Sequence, residues 1–310
     1  MFDEETFSNF IMNSKHLKNG LNTEYFENGQ IKSEQNYKDG IKDGKFTEWF
    51  DNGKKESETN YKNDKLYGKY IQWHENGQIK SEEYFKNDKF NDKFTKWYEN
   101  GQKEQEGNYN DDKQNGKWTT WYENGKKYTE GKFKNGRADD MWTQWHENGQ
   151  IYIEGNYKNG IKDGKYAEWF VNGQKESETN YKHDKFDGMV TWWYENGQKK
   201  EEGNYKDGNE NGKWTWCYDN GQIKSEGKFK NGRADGKWTD WYENGQKYIE
   251  GNYKDDKQYG TWTSWNENGQ IKSEGKFKDG KEDGLLTEWG ENGQIALSNW
   301  KGGECISGDC

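Results

Sequence analysis

Short runs rich in aromatic residues alternate with polar turns along nearly the whole chain. In one unit Trp118, Trp121 and Tyr122 precede an Asn-Gly pair, and Tyr128 and Phe133 follow it. Apolar and polar positions alternate within each run, which is typical of a β-strand with one buried face. An Asn-Gly pair between two such runs favours a two-residue type I′ turn, in which both central residues have positive φ. The pattern therefore predicts a β-hairpin.

This hairpin unit repeats with a constant period. The turn glycines are 24 residues apart and each follows an asparagine: Gly29, Gly53, Gly77, Gly101, Gly125, Gly149, Gly173, Gly197, Gly221, Gly245, Gly269 and Gly293. No insertion breaks the period, so each unit should pack on the next in the same way. The sequence predicts an all-β, elongated single-sheet solenoid of about twelve 24-residue antiparallel β-hairpin repeats.

The two-residue turn determines which residues face each other in the hairpin. Trp121 then faces Tyr128, and Trp118 faces Gly131, whose bare backbone the ring can cover. The face of Trp118 also carries the Lys127 position, and we expect this face to be the better buried. That position is isoleucine in several units, namely Ile31, Ile79, Ile151, Ile223 and Ile271.

The opposite face carries two rows of candidate binding residues. One is a nearly constant tryptophan: Trp49, Trp73, Trp97, Trp121, Trp145, Trp169, Trp193, Trp241, Trp265 and Trp289. The other is a nearly constant glutamate, including Glu106, Glu130, Glu154 and Glu178. Each row has a structural alternative, since the rings can pack on neighbouring hairpins and the glutamates can pair with lysines across strands. Specificity would come from positions that vary, such as His74, His146, Tyr128, Tyr152 and Tyr248.

Both ends of the chain depart from the repeat. Residues 1–19 carry Phe7, Phe10 and Ile11 at helical spacing, with acids early and bases late, which predicts an amphipathic helix that caps the array or, alternatively, binds a partner. The β-hairpin repeat array is expected over residues 20–295. Residues 296–310 form a degenerate last repeat and a flexible tail, in which Cys305 and Cys310 pair, bind a metal or have no function.

Aromatic rings must supply much of the hydrophobic core. Hydrophobic residues make up 27% of the chain and aromatic residues 17%, with 18 Trp and 21 Tyr. A buried ring removes roughly 150–250 Å² from water. The net charge of -10 argues against a nucleic-acid groove and weakens the case for anionic membranes. No apolar run approaches the ~20 residues that span a bilayer, and no signal-peptide pattern opens the chain, so we expect a cytoplasmic protein.

Residues that usually carry catalysis or bind metals form no unique cluster in the sequence. His74 and His146 occupy a position that is normally Tyr or Phe, and the carboxylates recur with the repeat rather than as one pair. The turn from Asp207 to Gly212 resembles the start of a calcium loop, but Tyr218 stands where that loop needs a glutamate. We expect no enzymatic activity, no cofactor and no bound metal.

The repeat resembles a known family. The run Glu-Gly-Lys-Phe-Lys-Asn-Gly-Arg-Ala-Asp-Gly, from Glu226 to Gly236, resembles the MORN repeat. The Trp-Tyr-Glu-Asn-Gly-Gln half is most similar to the bacterial MORN-variant repeats of the YwqK-family antitoxins. One later glycine of many MORN units is aromatic here, as at Trp118 and Trp238. The resemblance implies stacked β-hairpins that bind proteins, in some cases lipids, without catalytic residues.

Three classes of function follow from these patterns. The first is a protein–protein interaction scaffold that uses an extended surface rich in Trp, Tyr and Glu. The second, implied by the resemblance, is an antitoxin or immunity protein that binds and neutralises a toxin. The third is a module that binds glycans or lipid head groups. The sequence does not name the partner protein.

Overall fold

The computed structural model describes residues 19–290 and 293–309, in which β-strands are the only regular secondary structure. The chain divides into two compact units, Met1–Gly149 and Gln150–Cys310. No helix in the described residues is long and apolar enough to cross a membrane. The helix predicted over residues 1–19 falls almost entirely on residues 1–18, which lie outside the described part.

The first unit contains twelve strands that follow one another in chain order. They are β1 Gly20–Tyr25, β2 Ile31–Lys38, β3 Ile41–Trp49, β4 Lys55–Lys62, β5 Lys65–Trp73, β6 Ile79–Lys86, β7 Lys89–Phe90, β8 Asp92–Trp97, β9 Lys103–Asn110, β10 Lys113–Trp121, β11 Lys127–Lys134 and β12 Arg137–Trp145. Each strand pairs antiparallel with its predecessor, except that β7 and β8 both pair with β6.

The second unit continues the pattern with seventeen strands. They are β13 Ile151–Lys158, β14 Ile161–Trp169, β15 Lys175–Lys182, β16 Lys185–Phe186, β17 Gly188–Trp193, β18 Lys199–Lys206, β19 Asn209–Glu210, β20 Gly212–Cys217, β21 Ile223–Lys230, β22 Arg233–Ala234, β23 Gly236–Trp241, β24 Lys247–Lys254, β25 Lys257–Trp265, β26 Ile271–Lys278, β27 Lys281–Trp289, β28 Ile295–Lys301 and β29 Glu304–Gly308. These strands pair with one another in antiparallel fashion. The predicted fold class, an all-β solenoid of antiparallel hairpins, is confirmed.

The tip of each hairpin is a three-residue loop, so the predicted two-residue type I′ tip is wrong. The Tyr122 N–H donates to the Lys126 carbonyl at 2.8 Å, and the Gly125 N–H donates to the Tyr122 carbonyl at 2.9 Å. Positive φ falls on Gly125, at 81°, and not on Asn124. This is a type I turn followed by a left-handed glycine, which matches the twist of the flanking strands.

The two-residue turn of type I′ instead links consecutive hairpins. Asn63 and Asp64 have φ of 50° and 62°, and they connect the paired residues Lys62 and Lys65. Asn and Asp tolerate this left-handed conformation better than other non-glycine residues. The type I′ turn thus stands at the link between hairpins and not at the tip, where the sequence suggested it.

The three-residue tip loop shifts the pairing of the two strands by one residue, and a β-bulge beside the tip restores the predicted pairing beyond it. The register shifts between Thr120 and Trp121, so that Trp121 pairs with Lys127 and Tyr128 has no opposite residue. The predicted pairing of Trp121 with Tyr128 is therefore wrong. Lys127 moves to the face of Trp121, because a one-residue shift sends a side chain to the other side of a sheet.

The isoleucines at the Lys127 position follow the same shift. Ile31 and Ile79 are each 36% exposed, Ile223 is 39% exposed and Ile271 is 42% exposed. The expectation that this position lies on the better-buried face is wrong. We call the face that carries Trp118 and Phe133 the ring face, and the face that carries Trp121, Lys127 and Glu130 the Trp–Glu face.

The ring face contains the hydrophobic core. Trp118 is only 2% exposed, and its ring lies 5.7 Å from Phe94, 5.0 Å from Tyr109 and 6.2 Å from Phe133 between centroids. Its indole N–H donates to the carbonyl of Asn108 at 3.1 Å. Rings in mutual contact therefore replace the aliphatic core of an ordinary domain.

Glycines on the neighbouring strand make room for these rings. Trp118 pairs with Gly131 as predicted, but its ring covers Gly107 on the preceding hairpin. A Cβ on Gly107 would lie 2.2 Å from the Trp118 ring, and one on Gly131 would lie 2.0 Å from Trp142. The sequence predicted that each ring covers the glycine with which its own residue pairs. Each tryptophan in fact lies between two glycines and covers the one that comes earlier in the chain.

Ring size and glycine vary together along the chain. Glycine stands beside a large residue in Gly107–Trp118, Gly131–Trp142, Gly155–Tyr166, Gly203–Trp214, Gly227–Trp238, Gly251–Trp262 and Gly275–Leu286. Where the glycine is replaced, the equivalent pairs are Gln35–Phe46, Thr59–Tyr70, Glu83–Phe94 and Thr179–Val190. Tryptophan occurs at this position only beside glycine, because any Cβ would occupy the space of the indole.

The C-terminal segment carries a strand where the sequence suggested a flexible tail. Strand β29 pairs antiparallel with β28, with Trp300 opposite Cys305 and Ser298 opposite Gly308. The Asp309 N–H also donates to the Leu297 carbonyl at 2.8 Å. The alternatives for Cys305 involve Cys310, which lies outside the described residues.

Candidate functional site

The Trp–Glu face holds both rows of candidate residues. All ten tryptophans of the predicted row are half-buried. Trp121, in the first unit, lies beside Thr119 and Lys127 on this face. Trp241 has the equivalent neighbours, Thr239 and Lys247, in the second unit. The rings are thus anchored in the sheet and still present area to solvent.

Half of these tryptophans have a lysine from the preceding hairpin over the ring. The ammonium of Lys103 lies 5.6 Å from the centroid of Trp121, and that of Lys127 lies 5.3 Å from Trp145. Equivalent contacts are Lys55 with Trp73 at 5.7 Å, Lys175 with Trp193 at 5.7 Å and Lys247 with Trp265 at 5.3 Å. These distances are in the range of cation–π interactions, which hold each lysine side chain against the face. We call them the Lys–Trp couples.

The other five tryptophans follow an isoleucine at the same position. These Ile–Trp couples are Ile31 with Trp49, Ile79 with Trp97, Ile151 with Trp169, Ile223 with Trp241 and Ile271 with Trp289. Four of the isoleucines are exposed and Ile151 is half-buried. The Trp–Glu face therefore presents apolar couples among cationic ones.

The glutamates of the row pair with lysines on the same face. Glu130 accepts hydrogen bonds from Lys127 at 2.5 Å and Lys117 at 3.0 Å. Partial burial alone would raise the pKa of Glu130, but the hydrogen bonds from these two lysines outweigh burial and lower the pKa below its ordinary value. The same balance lowers the pKa of Glu58 and Glu250.

The remaining predicted glutamates occupy equivalent places. Glu106 lies 2.5 Å from Lys103 and 4.0 Å from Lys93, and Glu178 lies 2.5 Å from Lys175. Glu154 is half-buried in β13 opposite Ala167. The structural alternative for the row, pairing with lysine, is therefore present in the structure for most of these residues.

Two equivalent grooves open on the Trp–Glu face, one in each unit. The first, of 410 Å³, is lined by Lys93, Glu106, Gly107, Asn108, Lys117, Thr119, Trp121, Lys127 and Glu130. The second, of 360 Å³, is lined by Lys213, Glu226, Gly227, Lys228, Lys237, Thr239, Trp241, Lys247 and Glu250. Lysines outnumber glutamates in both, so each groove is locally cationic in a chain of net charge -10.

Polar ladders along the hairpin tips hold this face in place. The hydroxyl of Tyr122 donates to the carbonyl of Trp145 at 2.8 Å, and the hydroxyl of Tyr98 donates to that of Trp121 at 2.8 Å. The amide of Asn100 donates to the carbonyl of Glu123 on the next tip at 2.9 Å. The backbones of Trp121 and Trp145 are thereby tied to the preceding hairpin.

The lysines of this site were not predicted from the sequence. The Lys127 position was expected on the other face because a two-residue tip was assumed. The alternation of lysine and isoleucine at that position was visible in the sequence. An exposed position is expected to vary between charged and apolar residues in this way, whereas a core position is not.

His74 and Cys217 occupy repeat positions that normally hold Tyr or Phe and Trp, respectively. In residues 19–290 and 293–309 no three His, Cys, Asp or Glu side chains are placed to hold a metal ion. His74 Nε2 lies 3.1 Å from the carbonyl of Trp97, the contact that tyrosine makes at the same repeat position. Cys217 is a free cysteine, and partial burial raises the pKa of its thiol.

These features define a β-hairpin repeat protein with one face packed as a ring core and one face open. The chain belongs to the MORN repeat variant family, whose model matches residues 18–39, 42–63, 66–87, 93–111, 114–135, 141–159, 186–207, 210–231, 234–255 and 258–279. Together these repeats cover more than half of the chain. No curated protein matches the sequence.

Among solved structures, the chain is similar to parts of the crystal structures of TcdB2-TccC3-Cdc42 and TcdB2-TccC3-TEV. The identity is 11% and the TM-score is 0.19 for both. The matches cover 89% and 90% of this chain, and the chain spans 18% of each of those chains. At this TM-score the similarity carries no argument about fold or function.

Proposed function

We propose that this protein is a non-enzymatic interaction scaffold that binds a partner protein on its Trp–Glu face. The row of half-buried tryptophans that recurs on one open face carries the proposal. Tryptophan is enriched among the residues that dominate binding energy at protein interfaces. A partner that covers these rings would bury large apolar area at little cost in side-chain entropy.

The different exposure of the tryptophans on the two faces supports this role. Trp118, Trp214 and Trp262 on the ring face are 2–4% exposed and form the core. Stability of the array therefore does not require that the Trp–Glu face also be rich in tryptophan. The hydroxyl and amide ladders stiffen that face before binding, which lowers the entropic cost of association.

Substitution of neighbouring tryptophans tests the proposal. Trp97→Leu, Trp121→Leu and Trp145→Leu, combined in the full-length protein, should abolish capture of the native partner in affinity purification with mass spectrometry. A control with Val171→Ala and Ile306→Ala changes exposed apolar groups outside the three hairpins that carry these rings and should retain the partner. Circular dichroism confirms that both proteins are folded.

The outcome also separates the alternatives. A single captured protein whose toxicity this chain relieves would support the antitoxin role that the sequence resemblance implies. Retention of the partner by the folded triple variant would contradict docking on the Trp–Glu face. Binding to a glycan array or to liposomes, lost in the same variant, would replace the protein partner with that ligand class.

A further inference from the structure

The couples on the Trp–Glu face follow a definite order in the first unit. From its first hairpin onward they read Ile31–Trp49, Lys55–Trp73, Ile79–Trp97, Lys103–Trp121 and Lys127–Trp145. Apolar and cationic couples therefore alternate until the last hairpin, where a second cationic couple follows the first. A ligand that contacts successive couples needs side chains of alternating chemistry.

The cationic couples favour a ligand with carboxylates. In the groove of the first unit, Lys93, Lys117 and Lys127 face only Glu106 and Glu130. Glu130 is shared by two lysines, and so is Glu106. Each lysine ammonium carries three N–H donors. Some of these N–H groups therefore remain to bind carboxylates of a ligand after the glutamates have accepted theirs.

The spacing of the couples favours one backbone conformation. Consecutive hairpins are separated by two strand spacings, about 9.6 Å. A polyproline II helix has three residues per turn and rises about 3.1 Å per residue, so it advances about 9.3 Å per turn. Every third side chain of such a segment then meets the next couple. An extended β-strand turns successive third residues to opposite sides and cannot do so.

We infer that the Trp–Glu face of the first unit binds a polyproline II segment of its partner, with apolar and acidic side chains alternating at every third residue. The inference rests on the proposed function and names the chemistry of the partner. Apolar side chains lie against the Ile–Trp couples, and carboxylates lie against the Lys–Trp couples. The aromatic rows supply the flat surfaces on which such segments dock.

A synthetic peptide tests the inference directly. The sequence Leu-Pro-Ala-Glu-Pro-Ala-Leu-Pro-Ala-Glu-Pro-Ala-Glu matches the five couples, and tryptophan fluorescence of the full-length protein reports its Kd. Lys103→Glu combined with Lys127→Glu should weaken binding roughly tenfold, since each exposed ion pair contributes a small factor. Binding should also weaken as salt is added.

Matched controls distinguish charge at the couples from charge elsewhere. Lys126→Glu with Lys134→Glu makes the same change in net charge at exposed positions that belong to no couple and should leave the Kd within about twofold. A peptide with lysine in place of glutamate should bind the Lys103→Glu, Lys127→Glu protein more tightly than the unaltered protein. If that variant unfolds, Lys103→Gln with Lys127→Gln replaces it.

Equal binding of the acidic, lysine-containing and scrambled peptides, or no binding of any, overturns the inference. If the peptides fail while the triple tryptophan variant still loses its native partner, the proposed function stands and the partner has other chemistry. If the tryptophan variant keeps its partner, both fail. Reversal of peptide preference by the lysine substitutions is the result that supports the inference.

Discussion

The contact between strand glycine and tryptophan places a tight constraint on single residues in this protein. The Trp118 ring occupies the space that a Cβ on Gly107 would need, and it is almost fully buried. A side chain there must move the ring or the strand, and close-packed interiors resist both. In the repeat with Thr179 and Val190, threonine stands at the glycine position and the smaller valine stands at the ring position.

Gly107→Thr should lower the free energy of unfolding by about 1–3 kcal/mol, because overpacking outweighs the gain in β-propensity. Urea denaturation followed by circular dichroism measures the change. Adding Trp118→Val to that variant reproduces the Thr179–Val190 pair. The double variant should be more stable than the sum of the two single effects predicts. Strict additivity would contradict a steric conflict between the two positions.

At the scale of the elements, sequence alone predicted the hairpins and their period but not their turns. Glu-Asn-Gly suits both a two-residue and a three-residue loop, and the pattern of apolar residues could not distinguish them. The bulge that leaves out Tyr128 restores the pairing of Trp118 with Gly131. The outer part of the hairpin was therefore predicted correctly, while the residues nearest the tip were assigned to the wrong face.

The same limit explains what was missed at the candidate site. Trp121 and Glu130 were predicted to share a face, and the structure places them on one face. Both residues lie where the predicted alternation of side chains matches the observed one. Lys127 lies between the tip and the bulge, where the count is one residue out. Its contacts with Glu130 and Trp145 could not be derived without knowing that irregularity.

The ladder of tyrosine hydroxyls should contribute measurably to hairpin stacking. Tyr122→Phe removes the hydrogen bond to the Trp145 carbonyl and should cost about 1 kcal/mol. Phe50 occupies the equivalent position, so Phe50→Tyr can place a hydroxyl near the Trp73 carbonyl and should increase stability by about 0.5–1 kcal/mol. Tyr25→Phe, at an exposed position, serves as the control in the same denaturation series. Equal effects of Tyr122→Phe and Tyr25→Phe would argue against the ladder.

Over the whole molecule, the use of aromatic rings in place of aliphatic side chains gives stability an unusual dependence on pH. Burial raises the pKa of Tyr205 to about 12 and also raises that of Tyr61, Tyr109 and Tyr253. An unfolded tyrosine ionises near pH 10. A tyrosine whose pKa is raised in the folded state contributes its full stabilisation below that pH. The contribution is lost as the pH rises toward the pKa of the tyrosine in the folded state.

Alkaline titration should therefore unfold the protein between about pH 10 and pH 12. Tyrosinate absorbance should rise together with the loss of the circular dichroism signal, rather than before it. Tyr205→Phe removes one of the shifted groups and should make the loss of stability over this range less steep. Full ionisation of the tyrosines at pH 10.5 in a folded protein would contradict the burial that we describe.

The contact between Gly107 and Trp118 crosses from one repeat into the next, and this affects how such a gene can grow or shrink. Unequal recombination between copies joins the glycine of one copy to the ring of another. A junction that unites a bulky residue with tryptophan would be defective even though both parental copies are sound. Changes in copy number should survive only where the joined halves are compatible, so the segment that must be inherited intact extends from one strand glycine to the following ring position.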